Sequence, residues 1–428
     1  MNSLARIIHT EAPAWRDTRP SAQLRDLAAA PGSSADWWRG AAIYQVYPRS
    51  FQDSNGDGVG DLRGITLRLP YVAALGVDAI RLAPFFSSPT HDRGRDGGDF
   101  GDIDPELGSL ADFEGLLAEA HHLGLKVLID LALVQQSAPG VMAFWMQRGV
   151  DGFGLELGTD RAALRAGEGR LHMASSVALM AQDCSPRFIH GVLEESLRDT
   201  GQAWVCWALN SPDVSRVMTR WQALGGRSGK LAPLLLALLG SLRGSICLYQ
   251  GEELGLAEAQ VPPEALQGAE RERVWPAFAG RDGCRTPMPW QVKRMHAGFS
   301  AASPWLQVPD HHRRAAVDVQ LQAPRSALRR YQEFLHWRQR QAALRVGSMT
   351  LLPAHDQVVA FERSAKGERV LCAFNLSDEE ARFALPVGMV LCKMHGHGFD
   401  GRVEGDELLL PPHEAYFGRV ERRQMPLG

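Results

Sequence analysis

Three observations predict an α/β fold, a parallel sheet or barrel with helices outside it, followed by a small antiparallel β-sandwich. Short apolar runs rich in β-forming residues alternate with segments of helical spacing through the first part of the chain. The early helical segments end at glycines, Gly76 and Gly124, which are helix stop signals. After about residue 345 the pattern changes to short β runs separated by turns, such as Val370-Leu371-Cys372-Ala373-Phe374-Asn375 and Leu408-Leu409-Leu410.

The elements follow in order. Ala42 to Tyr47 reads as a strand, Leu67 to Leu75 as a helix, and Ala79 to Ala83 as a strand. Ala111 to Leu123 is helical and Lys126 to Leu131 strand-like. The alternation continues less cleanly with a helix at Val141 to Gln147, a strand at Gly152 to Leu157 and a helix at Phe188 to Leu197. Strand-like Ala203 to Leu209, helical Ala232 to Leu242, strand-like Ser245 to Tyr249 and an Arg-rich helix at 325–340 complete the first unit. Three regions result: a polar leader over 1–36, an α/β region over 37–344 and a β-sandwich over 345–428.

Composition sets further bounds. The chain has 428 residues, 45% hydrophobic and 22% charged, which suits a globular protein with a sizeable core. A net charge of −3 gives no reason to expect nucleic acid or an anionic membrane as partner. Residues 1–36 contain no apolar core of a secretory signal, and the apolar run at Leu231 to Leu239 is too short to span a bilayer. Six cysteines without a CxxC pair, several in apolar stretches, fit reduced thiols, so a cytoplasmic location is expected.

Several stretches carry a resemblance. They are Trp37-Trp38-Arg39 with Ile43 to Phe51, the loop Asp53 to Leu62, and Gly149-Val150-Asp151-Gly152-Phe153. Gly251-Glu252-Glu253-Leu254-Gly255 and Gly280 to Trp290 complete the set. In this order they resemble the α-glucosidase and oligo-1,6-glucosidase branch of glycoside hydrolase family 13, the α-amylase family. The resemblance implies a TIM-type (β/α) barrel with its functional loops at the C-terminal ends of the strands, followed by a β-sandwich. It also implies retaining chemistry, which needs two carboxyl groups about 5–5.5 Å apart.

The strand ends depart from that chemistry. At the third strand Asp130 remains, but Val134-Gln135 stands where the family has Asn-His. At the fourth, Phe153-Gly154-Leu155-Glu156 stands for Phe-Arg-x-Asp. The resemblance makes Glu156 the counterpart of the family's nucleophilic Asp, lengthened by a methylene, and Gly154 supplies no guanidinium to keep it ionised. The fifth strand and its acid/base Glu are not recognisable; Glu168 is a candidate, with a turn before the family's sixth strand, at Leu171 to Ala174, as the plainer reading. After the seventh strand, Ser211-Pro212-Asp213 and Arg216 keep the family's Asp and Arg but lose its His.

Asp96 matches a sugar-binding Asp, and with Asp213 and Arg216 it makes the candidate substrate-binding set. The plainer reading of Asp213 and Arg216 is that they pair with each other or cap a helix. With the fifth strand unrecognised the barrel is expected to be incomplete, and with the family's inserted domain after the third strand missing the cleft is expected to be shallow and wet. His395-Gly396-His397 reads as a solvated turn rather than a metal pair. Glu252 and Glu253 read as structure beyond the last barrel strand.

The loop Asp53 to Asp61 places side-chain oxygens at positions one, three, five and nine, between glycines, as hard cations require. It is not an EF-hand, because position twelve is Gly64. The resemblance implies a structural Ca2+ held by Asp53, Asn55, Asp57, the Val59 carbonyl and Asp61; the alternative is a solvated Asx-turn loop. A catalytically inactive relative is expected, acting through an α-glucoside or oligosaccharide ligand or through a homo- or hetero-oligomer with an active relative. The alternative is an active glucosidase or glucosyl-transferring enzyme using Glu156 with Glu168 or Asp213.

Overall fold

The computed structural model describes residues 36–86, 102–131, 140–155, 173–199, 204–224, 229–266 and 281–421. Seven parallel strands form the central sheet: β1 (Ala42–Val46), β2 (Ala79–Leu82), β3 (Lys126–Leu131), β4 (Gly152–Leu155), β5 (Ala174–Ser176), β6 (Val205–Ala208) and β7 (Ser245–Tyr249). Their order is β4-β3-β2-β1-β7-β6-β5, so β1 lies at the centre and β4 and β5 lie at the edges. Among the described residues, this is the order of an eight-stranded barrel without a strand between β4 and β5. Residues 156–172, which connect those two edges, lie outside the described set. The expected α/β architecture is therefore present, as seven barrel strands among the described residues.

Strand alternation sets the two faces. Ala41, Ile43, Ala79, Leu128, Cys206, Ala208 and Cys247 pack together inside the curve of the sheet. Residues of opposite parity, including Tyr44, Ile80, Val127, Trp207 and Ile246, pack outward against the helices. The helices are α1 (Leu62–Ala74), α2 (Leu110–His122), α3 (Val141–Gln147), α4 (Pro186–Asp199), α5 (Val217–Arg220), α6 (Leu231–Ser241), α7 (Asp310–Arg314), α8 (Val317–Gln322), α9 (Ala327–Gln339) and α10 (Ala342–Val346). Every residue of α6 is buried, as its apolar composition requires.

α1 begins five residues before the helix read from spacing. Asp61 caps it by accepting from the Gly64 amide, so a residue read as part of the oxygen-rich loop is also the helix start. β5 begins at Ala174, the last residue of the Leu171 to Ala174 stretch read as the counterpart of the family's sixth strand.

The remaining strands are antiparallel. β8 (Ser348–Leu351), β9 (Val358–Ala365), β10 (Glu368–Asn375), β12 (Val390–Lys393) and β15 (Ala415–Glu421) form one sheet. β11 (Ala381–Ala384), β13 (Arg402–Glu404) and β14 (Glu407–Leu410) form another. Val358, Ala360, Leu371 and Ala373 from the first sheet pack on Ala381, Phe383, Leu408 and Leu410 from the second. Arg363 is fully buried and donates to the carbonyls of Ser241, Leu242, Gly347 and Ser348, tying the sandwich to the end of α6.

His397 is not in a solvated turn. It is buried against Trp337, Phe399 and Phe417, with Nε2 facing the Met394 carbonyl at 2.8 Å and Nδ1 accepting from the Phe399 amide. Burial pulls its pKa down to about 4, so it is a neutral core imidazole. His395 beside it is exposed.

Candidate functional site

A cleft of about 470 Å³ opens at the C-terminal ends of the strands. Gln45 and Tyr47 line it from β1 and its end, Arg81 from β2, Asp130 from β3, Ser175 from β5, and Cys247 from β7. Inward-facing residues of both halves of the sheet thus share one cavity. A volume of this size suits a small-molecule ligand.

Arg81 and Asp130 form the floor. Arg81 Nε donates to Asp130 Oδ1 at 2.5 Å, and Gln45 Nε2 approaches Asp130 Oδ2 at 3.4 Å. The side chains are 15% and 8% exposed, so the pair is largely removed from water. Burial opposes the charge on Arg81, but Asp130, followed by the Cys247 thiol, holds its pKa above the usual value. Burial raises both barrel thiols, Cys247 to about 11, so neither is a ready nucleophile at neutral pH.

Gly154 lies against this pair. A Cβ placed on it would sit 1.9 Å from Asp130 Oδ1, 2.7 Å from Arg81 Nε and 2.9 Å from the guanidinium Nη2. No side chain fits there while the ion pair stands. The guanidinium expected on the fourth strand is absent, and one from the second strand fills the neighbouring space.

Asp213 sits on the opposite wall, between two cations. Its Oδ1 accepts from Arg281 at 2.8 Å and from Arg285 at 2.7 Å. Arg285 also donates through Nε to the Pro212 carbonyl and lies 5.3 Å from the Tyr47 ring centroid. Arg216 takes a different place. It is buried behind the wall, where its guanidinium donates to the carbonyls of Gln250 and Cys284. Asp213 and Arg216 therefore do not pair with each other. Arg216 stands at the N-cap of α5, and its own amide donates to Glu258.

Asp96, Glu156 and Glu168, together with Val134 and Gln135, lie outside the described residues. Arg81, Arg281, Arg285 and Gln45 were not singled out from sequence. Arg281 and Arg285 were within reach, because both stand inside the Gly280 to Trp290 motif. Arg81 also left a signal: it is a lone charge in the apolar strand Ala79-Ile80-Arg81-Leu82-Ala83.

Glu252 and Glu253 are structural, as read. Glu253 Oε1 accepts from Tyr44 at 2.8 Å and from Tyr71 at 2.7 Å. Glu252 Oε2 accepts from Asn210 at 2.6 Å, and Asn210 Oδ1 accepts the Val217 amide at the start of α5. Burial raises the Glu252 pKa to about 7.

The oxygen-rich loop is closed by its own hydrogen bonds. Asp53 Oδ1 accepts from the amides of Asn55 and Gly56, and Oδ2 from Gly58 and the Ser300 hydroxyl. Asp61 accepts from Ser54 and Gly64, while Asn55 and Asp57 bond each other. The donor chemistry is that of a hard-cation site. Among the described residues, no group of three or more His, Cys, Asp or Glu is arranged to hold a metal ion.

The comparisons agree with this architecture. Residues 45–134 and 175–347 match the α-amylase catalytic domain, and 349–417 match the maltogenic amylase C-terminal domain. A probable α-glucosidase of Rhizobium meliloti (strain 1021) is 33% identical, covering 90% of this chain and 97% of the relative. That alignment runs over 537 positions against 428 residues here, so the relative carries segments with no counterpart in this chain. An oligo-1,6-glucosidase of Parageobacillus thermoglucosidasius is 24% identical over 91% of this chain and 99% of its own. The crystal structure of an α-glucosyl transfer enzyme superposes with a TM-score of 0.84 at 34% identity, over 90% of this chain and 100% of that one. No helix among the described residues is long and apolar enough to cross a membrane. With the barrel, the cleft at its strand ends and the sandwich in place, these matches establish that the chain belongs to the α-amylase family, glycoside hydrolase family 13, alongside α-glucosidases and α-glucosyl-transferring enzymes.

Proposed function

We propose that this protein binds an α-glucoside or short α-glucan in the cleft without hydrolysing it at an enzymatic rate. The single observation that carries this is the gap in the family match. The catalytic-domain match stops at residue 134 and resumes at residue 175. Glu156 and Glu168, the candidate nucleophile and acid/base, both fall inside the unmatched segment. Two features of the cleft support it. Gly154 leaves the fourth strand without a cation, and Asp213 is held in ion pairs with Arg281 and Arg285.

The binding role is tested by titrating the purified protein with maltose and isomaltose in a calorimeter. Saturable heats are expected; a protein that melts cooperatively yet binds neither sugar would overturn the reading. A second reading, an active glucosidase or glucosyl-transferring enzyme using Glu156, is favoured by the relatives' descriptions. Turnover separates the two.

We further propose that the Asp53 to Asp61 loop takes a structural calcium ion, because its donor set of carboxylate, amide and carbonyl oxygens is that of a hard-cation site. Binding would require the carboxylates to exchange backbone donors for the ion. A partner role, with a second copy or an active relative, remains part of this proposal and is tested by the mass of the native particle.

A further inference from the structure

We propose that Arg81 contacts the ligand directly, using its terminal N–H groups to grip the hydroxyls of a neutral saccharide at the bottom of the cleft. This rests on the saccharide-binding reading above and identifies the residue that would anchor the sugar.

Three observations carry it. First, Arg81 lines the cavity and is 15% exposed, although it sits on a barrel strand. Among the described residues, Asp130 is the one oxygen partner of its guanidinium, and that bond uses Nε. The planar head is therefore fixed in orientation by Asp130 and by the Cys247 thiol, and its remaining terminal N–H groups are the donors for a ligand. Second, the fourth strand makes room for this head. Gly154 has no side chain, and a Cβ there would collide with Asp130 and Arg81. Third, the cleft offers matching partners for a sugar. Asp130 accepts beside the donors of Arg81, while Tyr47, Phe85 and Phe86 give apolar walls.

Charge balance selects the ligand class. Among the described residues, the lining arginines are already met by carboxylates: Arg81 by Asp130, Arg281 and Arg285 by Asp213, and Arg49 by Glu106 at 2.8 Å. An anion would gain little from such neutralised guanidiniums and would face Asp130 and Asp213. Adjacent hydroxyls, which both donate and accept, fit a fixed guanidinium–carboxylate pair.

The test is calorimetric titration of wild type, Arg81→Lys and Arg81→Gln with maltose and with glucose 6-phosphate. Arg81→Lys keeps the charge beside Asp130 and so the fold, but loses the planar fork. Both variants are expected to bind maltose at least tenfold more weakly than wild type, with Arg81→Lys melting close to wild type. Wild type that binds maltose together with an Arg81→Lys protein that binds it equally well would overturn this inference alone. Wild type that binds glucose 6-phosphate more tightly than maltose would overturn the ligand class. Wild type that binds neither would overturn the saccharide-binding reading itself.

Discussion

Replacing Gly154 by alanine perturbs the centre of the barrel with a single methyl group. That carbon would lie 1.9 Å from Asp130 Oδ1, where ordinary non-bonded contact is about 3.5 Å. The backbone carbonyls and amides of β4 pair with β3 through Asp130 and Leu131, so the strand cannot retreat without losing its register. The carboxylate and guanidinium must move instead. Overpacking of this kind costs about 1–3 kcal/mol, and loosening a buried ion pair adds to it, up to the roughly 3–5 kcal/mol of removing one partner. The expected loss is about 2–4 kcal/mol, read as a lower midpoint in urea at unchanged slope. The same substitution in an Arg81→Ala, Asp130→Ala background should cost less than about 1 kcal/mol, because nothing remains to displace. A Gly154→Ala protein within about 0.5 kcal/mol of wild type, or an equal loss in both backgrounds, would refute the assignment of Gly154 as room for the ion pair.

Glu252 is buried with a pKa near 7, above the ordinary value of 4.5. The folded state thus binds a proton that the unfolded state releases, and stability falls as pH rises from about 4.5 to 7, by up to about 1.4 kcal/mol per pH unit. Glu252→Gln should gain on wild type across that window in melts at pH 5 and 7.5; a pH-independent difference would contradict the assignment. His312, held between Thr286 and the Ala257 carbonyl with its pKa lowered to about 3, acts in the opposite sense. It should make wild type lose stability as pH falls below about 6.5, a loss that a His312→Gln variant lacks in acid titrations followed by fluorescence. Removing Arg363 as Arg363→Met should destabilise by roughly 3 kcal/mol or more, since four carbonyls lose their donor, and differential scanning calorimetry should show it. Chelation should lower the melting temperature by several degrees in wild type and leave Asp57→Ala unmoved; equal responses would count against the calcium proposal.

The fold was legible because hydrophobic period and glycine stops survive in a single sequence. β1, β3 and α3 fall where periodicity puts them, since strand and helix patterning is local. α1 began earlier than read because Asp61 serves two purposes, closing the loop and capping the helix. The site was less legible. Asp213 was identified, but its partners stand about seventy residues away at Arg281 and Arg285, and sequence spacing carries no such distance. Arg216 looked like Asp213's neighbour, yet the chain turns between them and sends the guanidinium into the wall behind Tyr249. Arg81 shows in the sequence only as a lone charge in an apolar strand, because the carboxylate it faces, Asp130, comes from β3, 49 residues further along the chain. His397 was read as solvated from a Gly-flanked pair, and the aromatic cluster that buries it comes from Trp337, Phe399 and Phe417.

The central claim, binding without efficient hydrolysis, is tested most directly by turnover of p-nitrophenyl α-glucoside by wild type and Glu156→Gln, with calcium present. The account predicts release at the rate of the protein-free control for both, from proteins that melt cooperatively. Turnover well above that control in wild type and lost in Glu156→Gln would contradict it and make Glu156 a working nucleophile.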